Sequence, residues 1–133
     1  ITDNQTGLMW KQCVEGISSS VTACDTGVVV TARYADTAIN DSALTLAQTS
    51  NFAGYSDWRL PNLKELTSLV EVACYAPAIN SNFFPQTPYS DITLSSTIDE
   101  VNYIRYTWVI NFSDGVPVLQ DYAIGFVRLV RDF

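Results

Sequence analysis

Alternation and helical spacing divide the chain. Leu8-Met9-Trp10-Lys11 is mostly apolar and predicts a strand, after a turn-rich Asp3 to Gly7. Val28 to Thr31 is a β-branched run and a second strand candidate. Ala38, Ile39, Leu44, Leu46 and Ala47 place an apolar stripe on a helix that Asp36 or Thr37 would cap and that runs to about Thr49. Leu63, Leu66, Leu69 and Val70 predict a second helix, roughly Leu63 to Ala73. Asp91 to Thr97 and Tyr103 to Phe112 alternate as strands, and Tyr106, Trp108, Ile110 and Phe112 share one face. Ser113-Asp114-Gly115 turns the chain back into Val116 to Leu119, and Gly125 to Phe133 is the last strand. Strand, two helices, a loop over residues 75–90 and an antiparallel meander make an α+β pattern in one domain, 1–133.

The sharpest local signal is Asp57-Trp58-Arg59-Leu60-Pro61-Asn62-Leu63-Lys64-Glu65-Leu66. Pro61 fixes its own φ and pushes Leu60 into an extended conformation. Asn62 reads as the helix N-cap, with Glu65 three residues on completing a capping box. Arg59 is expected to tie this corner to a carboxylate or to backbone carbonyls.

Composition narrows the function. With 133 residues and 47% hydrophobic positions the chain can bury a core. Seven Lys or Arg against fourteen Asp or Glu leave a net charge of −7. The cations are scattered along the sequence, so nucleic acid and anionic membrane surfaces are not expected partners. No stretch reaches the roughly 20 apolar residues that span a bilayer. Residue 1 is Ile and no signal peptide is visible, so a processed or internal start is expected.

Three cysteines, 13, 24 and 74, are the redox evidence. Cys13 and Cys24 flank a Gly- and Ser-rich hairpin loop, and a disulfide between them is expected in an oxidising compartment; the alternative is three buried thiols. Cys74 is left over, as a core thiol or a link to another chain.

Thr6-Gly7-Leu8-Met9-Trp10, the Trp-Arg-Leu-Pro block at 58–61 with Lys64-Glu65-Leu66, Pro77-Ala78-Ile79-Asn80 with Phe84-Pro85, Ser95-Ser96 and Val127-Arg128-Leu129-Val130-Arg131 occur in that order. In this the chain resembles the bacterial domain family named after the C-terminal domain of the Legionella collagen-like protein. The resemblance covers nearly the whole chain and implies a C-type-lectin-like fold: an antiparallel sheet flanked by two helices, long loops bearing the ligand surface, and paired terminal strands. It also implies that Trp10 and Trp58 are core aromatics. Thr93-Leu94-Ser95-Ser96 departs from the family's usual Tyr-Trp-Ser-Ser. A member of the family is thought to bind sulfated polysaccharides through basic residues, which this acidic chain does not support.

Enzyme chemistry is not expected. With no His, a Ser-His or Cys-His pair and a His-based zinc site are impossible. Asp99-Glu100 and Glu65 with Glu71 are the carboxylate pairs on offer, and Glu65 is more simply the capping residue. Calcium is conceivable from Asp91, Asp99, Asp114 and Asp121 but not predicted, because the signatures of calcium-dependent lectins are absent. The amphipathic Tyr89, Tyr103, Tyr106 and Tyr122, with Asp99, are the ligand-binding candidates, since such rings stack on sugars or anchor protein contacts. The expectation is an extracellular or cell-surface adhesion module that binds a saccharide or surface protein without catalysis. The alternative is a structural part of a filament or pilus, held by contacts between copies.

Overall fold

The computed structural model describes residues 1–19, 24–35 and 42–133. Thr2–Asp3 (β1) and Leu8–Trp10 (β2) form a small antiparallel sheet with Val130–Asp132 (β10), in the order β1-β2-β10. Ile17–Ser19 (β3) and Cys24–Gly27 (β4) make a hairpin whose tip lies outside the described residues. The main sheet has five strands: Thr31–Arg33 (β5), Ile124–Phe126 (β9), Ile92–Val101 (β6), Ile104–Asn111 (β7) and Val116–Asp121 (β8), in that spatial order. The helices are Ala43–Thr49 (α1) and Leu63–Thr67 (α2).

This corrects the expected fold. The α+β, C-type-lectin-like arrangement of a sheet flanked by two helices is not what forms. The molecule is mostly β: helices of seven and five residues are too short to make a helical layer. The sheet is also not purely antiparallel, because β9 runs parallel to β6 at Thr93↔Phe126. A Cβ on Gly125 would lie 2.6 Å from the Ile92 carbonyl oxygen, so only glycine permits that approach. The strand expected at Leu8, β2, does pair with the last strand, β10, with Trp10 opposite Val130 and Leu8 opposite Asp132.

Three element boundaries move for physical reasons. Val28 to Val30 is not a strand; pairing begins at Thr31, opposite Phe126. α2 stops at Thr67, where the Thr67 and Ser68 hydroxyls bond the Leu63 and Glu65 carbonyls and compete with helix continuation. The last strand splits into β9 and β10. Between them Val127 and Leu129 accept from the Glu15 and Lys11 amides, at 2.8 and 3.0 Å, and carry the chain from one sheet to the other. The expected helix caps Asp36 and Thr37 lie outside the described residues; α1 is capped by Ser42, whose hydroxyl accepts from the Thr45 amide.

Two apolar clusters hold these layers. One gathers Trp58, Leu60, Leu94, Val109, Val127 and Leu129 with Ala43 and Ala47 of α1. The other gathers Leu8, Trp10, Ile110, Phe112 and Val130 with Leu66 of α2. Successive residues of β7, Val109 and Ile110, point to opposite clusters, so both faces of this part of the sheet are covered. Trp10 and Trp58 are both core residues. Leu94 is fully buried in the cluster that holds Trp58.

The Trp-Arg-Leu-Pro corner is pinned from four sides. The Trp58 indole N–H donates to the Phe52 carbonyl at 3.0 Å. Arg59 exchanges both backbone hydrogen bonds with Val130 and grips Glu65 through two side-chain bonds of 2.8 Å. Asn62 and Glu65 complete the capping box. The Leu63 amide donates to Thr97 Oγ1, which ties the helix start to β6. The arginine holds the Glu65 carboxyl below its ordinary pKa, aided by the Asn62 amide and opposed by burial. Asp57, the other conceivable partner of Arg59, is instead clasped by Arg131. Cys13 and Cys24 are joined in a disulfide, and Cys74 is an exposed thiol rather than a core one.

Candidate ligand-binding grooves

Four of the five ligand-binding candidates lie at one end of the five-stranded sheet, but they do not converge on one face. Asp99, Tyr106 and Asp121 stand in one cross-strand row over β6, β7 and β8. Tyr103 occupies the two-residue turn between β6 and β7, and Tyr122 the turn between β8 and β9. Asn102 and Tyr103 both take positive φ, 52° and 66°, the primed-turn geometry that matches strand twist. Tyr122 is also left-handed, at 46°. Bulky side chains rarely adopt this region, and such residues cluster at ligand contacts. Both rings are solvent-facing, Tyr103 at 99% exposure and Tyr122 at 64%.

A groove of about 370 Å³ lined by Arg33, Tyr34, Arg105, Thr107, Tyr122 and Ala123 lies on the sheet face opposite Tyr106 and Asp99, and of the candidates only Tyr122 lines it. β5 brings Arg33 in opposite Ile124, and β7 brings Arg105. The Arg105 guanidinium lies 5.6 Å from the centre of the Tyr34 ring and donates to the Ala35 carbonyl at 3.5 Å. Glu100 is its register partner. Among the described residues, however, neither Arg33 nor Arg105 is within ion-pair distance of a carboxylate, whereas Lys11, Arg59 and Arg131 all are. Sequence reading had the cations scattered and missed this grouping, since 72 positions separate the two arginines and only the strand order β5-β9-β6-β7 brings them to one groove.

Residues 1–131 match the family described as Lcl C-terminal domain. The chain belongs to that family. No curated protein and no solved structure matches it at a significant level.

In this Lcl C-terminal domain the fifth candidate, Tyr89, lies elsewhere. It stands on the loop before β6, at a second groove with Pro77, Pro85, Gln86, Thr87 and Pro88. Below that groove Arg128 is fully buried. It donates to the Lys11 carbonyl at 2.9 Å, to the Gln12 carbonyl and to Thr87 Oγ1 at 2.9 Å, and it covers the Phe84 ring at 4.9 Å. Burial pushes its pKa down to about 9, so it remains a cation at neutral pH. The Val127 to Arg131 block marked this arginine for the family but not its burial. Among the described residues no three His, Cys, Asp or Glu side chains converge as a metal site, and no helix is long and apolar enough to cross a membrane.

Proposed function

We propose that this domain is an extracellular or cell-surface binding module that acts in adhesion, with no chemical step. The observation that carries the reading is the Arg33, Tyr34, Arg105, Tyr122 groove. Two arginines free of carboxylate partners among the described residues suit an acidic group on the ligand. The exposed Tyr122 and the half-buried Tyr34 beside them offer rigid plates for a sugar ring or a protein side chain. The Cys13–Cys24 disulfide supports an oxidising location. The ligand is a saccharide or a surface protein, held by shape and polar contact.

A glycan array and a pull-down from host or biofilm matrix test this. Binding that falls when Arg33 and Arg105 are replaced by Ala supports it. A blank in both assays, with a sample that unfolds cooperatively, defeats it.

A second reading rests on β8. Every residue of this edge strand is exposed, including Val116, Val118 and Leu119, and an apolar edge is a surface on which another chain can pair. This favours a structural role in a filament or pilus. Light scattering separates the two: growth of assemblies with concentration supports the filament, a monomer at all concentrations the soluble binder.

A further inference from the structure

The second groove has a different chemistry from the first. It is an open surface groove of about 810 Å³ between the Ala76-Pro77 turn and residues 85–90. None of the side chains lining it is charged, in a chain with seven cations and fourteen carboxylates. Its polar groups are an amide and hydroxyls: Gln86, Ser81, Ser90 and Thr87. Tyr89, 45% exposed, supplies the aromatic surface.

The groove is also built to hold its shape. Pro77, Pro85 and Pro88 fix φ at three wall positions, which lowers the ordering cost of binding. Gln86 is held at φ 55°, a conformation that costs a Cβ-bearing residue free energy and persists only where its surroundings impose it. Thr87 is buried at the floor. Its hydroxyl donates to the Phe84 carbonyl at 2.8 Å and accepts from Arg128. Arg128 in turn binds the carbonyls of Lys11 and Gln12, so one buried cation ties the groove to the segment that follows β2. A guanidinium without a carboxylate partner among the described residues is expensive to bury. What it achieves here is to fix Thr87, and with it the 85–90 loop.

We infer that this groove is a binding site for an uncharged saccharide, distinct from the arginine groove. A pyranose presents an apolar C–H face and a rim of hydroxyls. Tyr89 matches the first by stacking, and the Gln86 amide with the Ser81 and Ser90 hydroxyls matches the second. An anionic or cationic ligand would meet no counter-charge on these walls. A proline-rich peptide would need a groove lined with several aromatic rings, and this one has a single tyrosine.

The test is an NMR titration of the whole domain with cellohexaose, maltohexaose, mannohexaose and chitohexaose, with a proline-rich decapeptide as comparator. The expected result is saturable movement of the Gln86, Tyr89 and Ser90 amide signals with at least one hexasaccharide. The affinity should be insensitive to added salt and should weaken by about tenfold in Tyr89→Ala. Tyr89→Phe, which keeps the ring, should retain most of it. Movement confined to Arg33, Arg105 and Tyr122, movement with the peptide alone, no movement with any hexasaccharide, or unchanged affinity in Tyr89→Ala would each overturn the inference. Because the signals report where binding occurs, loss of one groove is read separately from loss of the other.

Discussion

Arg59 holds Glu65 by two parallel hydrogen bonds of 2.8 Å, and Glu65 Oε1 also accepts from the Asn62 amide that begins helix α2. One carboxylate therefore closes a helix cap and fastens the strand-to-helix corner. Arg59 reaches on to Asp132 of β10, also at 2.8 Å, so the corner is bound to the last strand as well.

The Glu65 carboxyl titrates below its ordinary value of 4.5 in the folded protein, chiefly because of Arg59. A depressed carboxyl contributes stability that is present above the unfolded value and is lost as pH falls through the folded one. Thermal unfolding followed downward from neutral pH should show a falling Tm below about pH 4.5. In Glu65→Gln that fall should be shallower, and the variant should cost about 1 kcal/mol at neutral pH, since the pair is partly exposed to solvent. Identical pH profiles would separate the cap from the corner's stability.

Arg128 should be less replaceable than any other cation. In Arg128→Met the carbonyls of Lys11 and Gln12 and the Thr87 hydroxyl lose their donor in the interior. Leaving buried acceptors unmatched outweighs the relief of removing the charge, and a loss of about 2–4 kcal/mol is expected from urea unfolding. Arg128→Lys should not rescue it, because one ammonium cannot span acceptors arranged for a planar fork. A Met variant as stable as the parent would contradict this.

The Cys13–Cys24 disulfide closes a loop with a sequence separation of 11. On the chain-entropy account its removal should cost about 2–3 kcal/mol. The urea midpoint should drop on reduction, and the Cys13→Ser, Cys24→Ser double variant should unfold at the reduced midpoint. A midpoint indifferent to reductant would mean that local packing already fixes the hairpin.

Trp58 is 4% exposed, lies edge-on to Phe52 at 5.9 Å and donates to its carbonyl. Trp58→Ala should cost about 3–5 kcal/mol, as other large-to-small core changes do. A stable Trp58→Ala that no longer bound ligand would move the binding site to the corner.

Much of this architecture was legible from local pattern, and the rest depended on distant pairing. The Asn62–Glu65 cap, the β6–β7–β8 meander and the disulfide all arise from residues near one another in sequence, whereas the Trp10 and Trp58 core positions are implied by the family resemblance and rest on distant partners. The break between Phe126 and Val130 was not readable, because Phe126-Val127-Arg128-Leu129-Val130 reads as one strand and only the partners at Glu15 and Lys11 divide it. The early end of α2 was not readable, because side-chain hydroxyls at Thr67 and Ser68 end a stripe that hydrophobicity alone would continue. The candidate site was half legible. Exposed tyrosines in turns can be picked from sequence, and of Tyr103, Tyr106, Tyr122 and Asp99 only Tyr122 lines the arginine groove. Arg33 and Arg105 could not be paired without the strand order, and Tyr89 could not be separated from the others.

The most direct measurement is surface capture of the domain on an array carrying both uncharged and uronate-bearing glycans, comparing the parent with the Arg33→Ala, Arg105→Ala double variant and with Tyr122→Ala. Binding to acid-bearing glycans should weaken with added salt and fall by about tenfold or more in each variant, while thermal stability stays near that of the parent. Undiminished binding in both variants would contradict the assignment of ligand recognition to this groove.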